Sequence, residues 1–101
     1  MILYNITYNI EREVEARWLE WIRTEYIPKM KGTGCFRSVR FFRLLNVKDE
    51  GSTYSLQFMT DSLDTMQQFL DKHAYRMAEE HNIHFKDKHV AFQTVLQELE
   101  L

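Results

Sequence analysis

All four histidines of the chain fall in one stretch, KHAYRMAEEHNIHFKDKHVAF (72–92): His73, His81, His84 and His89. Histidine is the side chain that most often binds transition metals or moves protons near neutral pH. Two kinds of chemistry therefore come into view. A metal centre would draw on His81, His84 and His89, separated by two and four residues, with Glu79, Glu80 or Asp87 completing the set. Three protein ligands and one open position make a catalytic zinc site. This spacing matches no established ligand signature, however, and it crosses a helix end, a turn and a strand start, so no metal is expected. Acid–base chemistry would fall to His73 or His81, with Tyr26 as a further proton carrier. At about 100° per residue, His81 shares a helical stripe with Leu63, Leu70, Ala74 and Met77, and His73 lies at its edge. Packed or solvated structural histidines are the simpler reading.

The other candidates carry the same double reading. Trp18, Trp21 and Tyr26, with His73, would wall an aromatic pocket for a small, largely apolar ligand, or would simply be core. Arg37, Arg40 and Arg43 alternate with apolar residues and read as solvated or ion-paired rather than as an anion site. The lone Cys35 excludes an internal disulfide and has no cationic neighbours to activate it. KGTG (31–34) lacks the spacing of a phosphate loop, no HExxH occurs, and no Ser-His-Asp order is readable. No cofactor is expected. With a net charge of −2 and a pI near 6.1, the chain lacks the basic face of a nucleic-acid binder. It also lacks the basic-aromatic motif of RNA-recognition domains.

These side chains must be positioned by a single domain spanning residues 1–101, the natural reading of this length without a linker. The N-terminus is not that of a secretory signal, and no 18-residue apolar run exists, so a soluble, cytoplasmic protein is expected. ILYNITYNI (2–10) alternates with period two and predicts a strand. EREVEARWLEWIRTEYIPKM places Val14, Trp18, Trp21, Ile22 and Tyr26 at helical spacing, and Pro28 ends or bends that helix near Tyr26. CFRSVRFFRLLN (35–46) and STYSLQFMT (52–60) flank the turn-rich VKDEG and predict a hairpin. A second helix opens at TDSLDTMQQFL, with Thr60, Asp61 or Ser62 as its cap, and HVAFQTVLQEL (89–99) is a fourth strand.

The order is β-α-β-β-α-β. It predicts an α+β, ferredoxin-like fold with an antiparallel four-stranded sheet and two helices on one face. Strand parity assigns the other face. It takes Leu3, Asn5, Thr7 and Asn9 from the first strand, and Ser55, Gln57 and Met59 from the third. It takes His89, Ala91, Gln93, Val95 and Gln97 from the fourth. On the second strand either Val39, Phe41 and Leu45 or Phe36, Phe42 and Leu44 point outward. A face so poor in Lys, Glu and Asp calls for a cover, most simply a second copy on a two-fold axis. Asn5, Thr7, Gln57, Met59, Gln93 and Val95 are the expected homodimer interface, with the amides bonding across the seam.

The motifs WLEWIRTEYIPKM, GCFRSVRFFRL and STYSLQFMTDSLDTMQQFL resemble the dimeric α+β barrel superfamily, and within it domain-of-unknown-function family 4286. The resemblance covers nearly the whole chain. It implies two ferredoxin-like protomers packed sheet to sheet into an eight-stranded barrel. Functions across that superfamily are diverse, from cofactor-independent monooxygenases and haem-degrading enzymes to mutarotases and stress-response proteins, so the fold selects no reaction. Relatives often have His where this chain has Tyr26. The haem-degrading branch would place its Trp and iron-binding His at Phe69 and Glu79, so haem is not implied. The expected function is small-molecule binding or a structural role. The alternative is monooxygenase- or isomerase-like catalysis between helices and sheet.

Overall fold

The computed structural model describes residues 1–45 and 50–101. Strand β1 (Ile2–Ile10) leads through a 3-10 turn (Arg12–Val14) into α1 (Glu15–Trp21), a π-helical turn (Ile22–Tyr26) and α2 (Ile27–Gly32). Then come β2 (Ser38–Arg43), β3 (Ser52–Thr60), α3 (Leu63–Lys72), α4 (Ala74–His84) and β4 (His89–Gln97). The sheet order is β2-β3-β1-β4 with every neighbouring pair antiparallel, which is the ferredoxin-like arrangement. The connection expected over 47–51 lies mostly outside the described residues, as does the predicted end of the second strand at 46. Among the described residues, no helix is long and apolar enough to cross a membrane.

The core forms where the alternating side of the sheet meets the helices. Ile2, Tyr4, Ile6, Tyr8 and Ile10 of β1 and Tyr54, Leu56 and Phe58 of β3 are buried together, as their period-two spacing requires. Opposite them lie Val14, Trp18, Ile22, Tyr26 and Met30, each four residues after the last. In a pure α-helix every such step drifts by about 40°, so the row would turn about 160° away from the sheet. The π turn inserts one residue and returns most of that rotation, keeping the row on the core. Pro28 therefore does not end the helix at Tyr26. It supplies no N–H and would clash with the Thr24 carbonyl in α geometry, and the widened turn relieves both.

The second helical region also departs from expectation. It breaks at His73, whose φ of −127° separates α3 from α4. Ser62 is the cap, its hydroxyl accepting from the Thr65 N–H at 3.1 Å. Phe69, absent from the predicted stripe, is fully buried, whereas Leu63 is exposed.

Two sheet assignments are settled by register. On β2, Val39 pairs with Phe58 and Phe41 with Leu56, so both face the helices; Ser38, Arg40 and Phe42 point the other way. Phe36, before the strand, packs on Tyr4, Phe58 and Phe69 instead of pointing outward. On β4 the predicted parity is reversed. His89, Ala91, Gln93, Val95 and Gln97 pair with Ile10, Tyr8, Ile6, Tyr4 and Ile2, all on the helix side. Gln93 and Val95 therefore leave the open face, and Val90, Phe92, Thr94 and Leu96 occupy it. Both parities of this edge strand carry apolar residues, so alternation alone could not choose between them.

Of the amides expected to bond across a seam, Asn5 and Gln57 already have partners within the protomer, and Gln93 lies on the helix side. Ser55 Oγ donates to Asn5 Oδ1 (2.7 Å), Asn5 Nδ2 to Thr7 Oγ1 (3.1 Å) and Thr94 Oγ1 (3.3 Å), and Gln57 Nε2 to Ser55 Oγ (3.2 Å). A satisfied polar ridge thus runs along the middle of the face. Phe42 flanks it on one side and Val90, Phe92 and Leu96 on the other, with Phe92 65% exposed.

Candidate functional site

A cleft of about 420 Å³ opens between α4 and the β1–β4 half of the sheet. It exists because β4 extends the sheet beyond the edge of the helical layer, leaving the helix-side residues of the outer strand only partly covered. Tyr4, Ile6 and Tyr8 of β1 form its floor, and His89, Ala91 and Gln93 of β4 form one wall. Tyr26 comes from the π turn, and Tyr75, Ala78, Glu79, His81 and Asn82 from α4.

His81 is the centre of this arrangement. It is 2% exposed, stacked on Tyr8 (centroids 4.6 Å, planes 18° apart), and edge-on to His89 at 4.4 Å. Trp21 and Tyr26 meet it edgewise at 5.6 and 6.1 Å. The indole N–H of Trp18 donates to His81 Nε2 at 2.8 Å. Indole nitrogen can only donate, so Nε2 holds a lone pair and the proton of the neutral ring sits on Nδ1. Burial, followed by the neighbouring His89 and His84, drives the His81 pKa down to about 3. The ring is therefore neutral near pH 7 and is a donor through Nδ1, which has no protein partner among the described residues.

The tyrosines are donors too. Burial pushes the Tyr8 phenol well above its ordinary value and raises Tyr26 and Tyr4 in the same direction. Both phenols therefore stay protonated near pH 7, and Tyr26, which lines the cleft, carries a hydroxyl able to donate. His89 differs: its Nδ1 donates to the Phe85 carbonyl at 2.8 Å, so Nε2 is an available acceptor. The cleft thus combines aromatic walls, donors from His81 and Tyr26, and one basic nitrogen from His89.

The predicted site residues are only partly brought together. Tyr26 and His81 line the cleft. Trp18 is fully enclosed against Tyr8, Phe41 and Tyr54 and reaches the site only through its bond to His81. Trp21 stands behind it, against Tyr26, His84 and Phe85. His73 belongs elsewhere, in a separate depression with Lys29, Thr33, Arg76 and Glu80, so the pocket expected from Trp18, Trp21, Tyr26 and His73 does not form as a unit. The α3–α4 break at His73 carries that ring away from Tyr26.

Among the described residues, no three His, Cys, Asp or Glu side chains gather as metal ligands. The Trp18 bond occupies Nε2 of His81, and His84 Nδ1 donates to the Glu80 carbonyl at 2.8 Å. Arg37 pairs with Asp61 at 2.7 Å, and Arg43 donates to Tyr54 Oη at 2.9 Å, whose hydroxyl in turn bonds Glu15. Sequence reasoning missed Tyr4, Tyr8, His89 and Gln93 as cleft residues. Tyr4 and Tyr8 alternating on a strand's core face, each with a hydroxyl to satisfy, were the available signal.

The element order and the sheet order β2-β3-β1-β4 define a ferredoxin-like α+β domain. Solved structures agree at the level of fold. An ethyl tert-butyl ether (EthD) family protein of Bacillus halodurans superposes with a TM-score of 0.73 at 13% identity, covering 98% of this chain and 100% of that one. A dimeric ferredoxin-like protein from an uncultured marine organism gives 0.65 at 10% identity, over 99% and 98% of the two chains. A hydroxynitrile lyase from Passiflora edulis gives 0.63 at 16% identity, over 99% and 97%. No curated protein matches. The model of the domain of unknown function DUF4286 matches residues 1–99, and the chain belongs to that family.

Proposed function

We propose that this protein is a homodimer that binds a small neutral molecule bearing a carbonyl or similar acceptor oxygen in the cleft between α4 and β4. The observation that carries the reading is His81. A nearly fully buried, neutral imidazole has its Nε2 fixed by Trp18 and its protonated Nδ1 without a protein partner, at the border of the cleft. The Nδ1 donor is therefore not a sealed, unsatisfied group but one that reaches the cleft surface, where a ligand oxygen can accept from it. Tyr26 supplies a second donor, and the surrounding rings favour a flat, apolar body.

The pairing of protomers rests on the open sheet face. Along its middle, Asn5, Thr7, Ser55, Gln57 and Thr94 are already bonded to one another, which lowers the desolvation cost of covering that ridge, while Phe42, Val90, Phe92 and Leu96 gain by burial; Arg40 lies on the edge strand of this face. The dimeric ferredoxin-like neighbour supports the same assembly.

A catalytic reading has one specific observation in its favour. His89 Nε2 is an acceptor on the same cleft as the donors of His81 and Tyr26. A base beside a carbonyl held by two donors is suited to moving a proton from the adjacent carbon, an isomerase-like step. In this scheme His81 holds the oxygen and is not itself the base.

The test is binding of acetophenone, a flat neutral ketone, followed by the ring signals of His81 in proton–nitrogen NMR. Saturable binding that shifts the His81 Nδ1 resonance, weakened tenfold or more in His81→Phe, is expected. Equal affinity for the wild type and His81→Phe would refute the site.

A further inference from the structure

The cleft does not end at Gln93. A second depression, about 360 Å³, continues along β4 toward Val95 and shares Tyr4, Tyr75, Ala78 and Gln93 with the first. What it adds is Leu70, Ala74 and Val95, all apolar, where the inner end added His81, His89, Glu79 and Asn82. Polarity therefore falls along one continuous groove. Its helical wall is stepped by Leu70 of α3 and Ala74 and Ala78 of α4, on either side of the break at His73. Ala74 and Ala78 keep that wall low, so a thin chain fits where a second ring would not. The groove lies on the helix side of the sheet and stays open when the opposite face is covered.

From this gradient we infer that the cognate ligand is amphipathic: a carbonyl head held by His81 and Tyr26, with an unbranched alkyl chain lying over Ala78 and Ala74 toward Leu70 and Val95. This rests on the head-group site proposed above and adds the substrate class. The occupant follows from continuity with that site, since the two depressions share four residues and the outer one adds only apolar side chains. Full burial of a methylene is worth ~0.8 kcal/mol, about fourfold in affinity; a groove open along one side delivers about half of that, or roughly twofold per carbon.

The experiment titrates the full-length protein with phenyl alkyl ketones from acetophenone to octanophenone, following tryptophan fluorescence. Affinity is expected to rise about twofold per added carbon. Val95→Asn, at a half-exposed position, and Ala74→Phe, which fills the outer depression and does not line the head-group cleft, are expected to flatten that rise while leaving acetophenone binding within twofold. A flat series in the wild type with acetophenone still bound overturns the chain-binding groove and leaves the head-group site standing. The same flat series is what a groove already filled by a second copy would give, and it overturns the proposal equally. A rise that persists unchanged in both variants also overturns it, because the chain is then partitioning elsewhere. Failure of acetophenone itself to bind removes the head-group reading and this inference with it.

Discussion

Lowering the pH from 7 to 5 is expected to cost this protein about 2 kcal/mol through His81 alone. In the unfolded chain the imidazole titrates near 6.5, whereas in the folded protein it is held down to about 3. The folded state therefore binds fewer protons than the unfolded state throughout the interval between these values. Stability rises with pH there, is fully present above 6.5, and is lost as pH falls. The limiting slope is about 1.4 kcal/mol per pH unit, and partial titration at pH 7 reduces the total between pH 7 and 5 to about 2 kcal/mol. The physical source is burial among Tyr8, Trp18, Trp21 and Tyr26, with His84 and His89 adding to it. Urea unfolding at pH 7 and pH 5 measures the effect, and His81→Gln isolates it. Its amide oxygen can still accept from the Trp18 indole, but it does not titrate. The wild type is expected to lose about 2 kcal/mol more than the variant over this interval. Equal losses would mean that His81 protonates as easily in the folded protein as in the unfolded chain, and the description of a neutral imidazole that accepts at Nε2 and donates at Nδ1 would fail.

Other outcomes follow from the same contacts. Trp18→Phe leaves His81 Nε2 without its donor in a closed site and is expected to cost about 1–3 kcal/mol beyond the packing loss, read by chemical denaturation against a Tyr54→Phe control. Gly51 has φ of 81°, and a Cβ there would lie 2.5 Å from the Ile10 carbonyl oxygen. Gly51→Ala is therefore expected to lower stability by about 1–3 kcal/mol, while Gly32→Ala, in a helix and with nothing within 4 Å, is expected to raise it by up to about 1 kcal/mol. Phe92→Asp puts a charge on the open sheet face, and sedimentation velocity is expected to show monomer at concentrations where the wild type is a dimer. A wild type that sediments as a monomer at micromolar concentration would refute the face-to-face assembly.

The chain's alternation and helical periodicity were sufficient for much of the architecture. Period two in residues 2–10 and 52–60 and the apolar rows of the helices require the strands, the helices and the covered face, because only one side of each can leave water. The tertiary structure decided what local pattern leaves degenerate. β4 carries apolar residues on both parities, and only its pairing with β1, Ile10 opposite His89, puts His89 and Gln93 in the cleft and Phe92 on the open face. The π turn at Pro28 likewise follows from how the row from Val14 to Met30 must meet the sheet. His81 could be placed on a buried stripe from spacing alone. Its neutral tautomer could not, because the indole that fixes it lies 63 residues earlier and meets it only when the two helical regions pack side by side over β1.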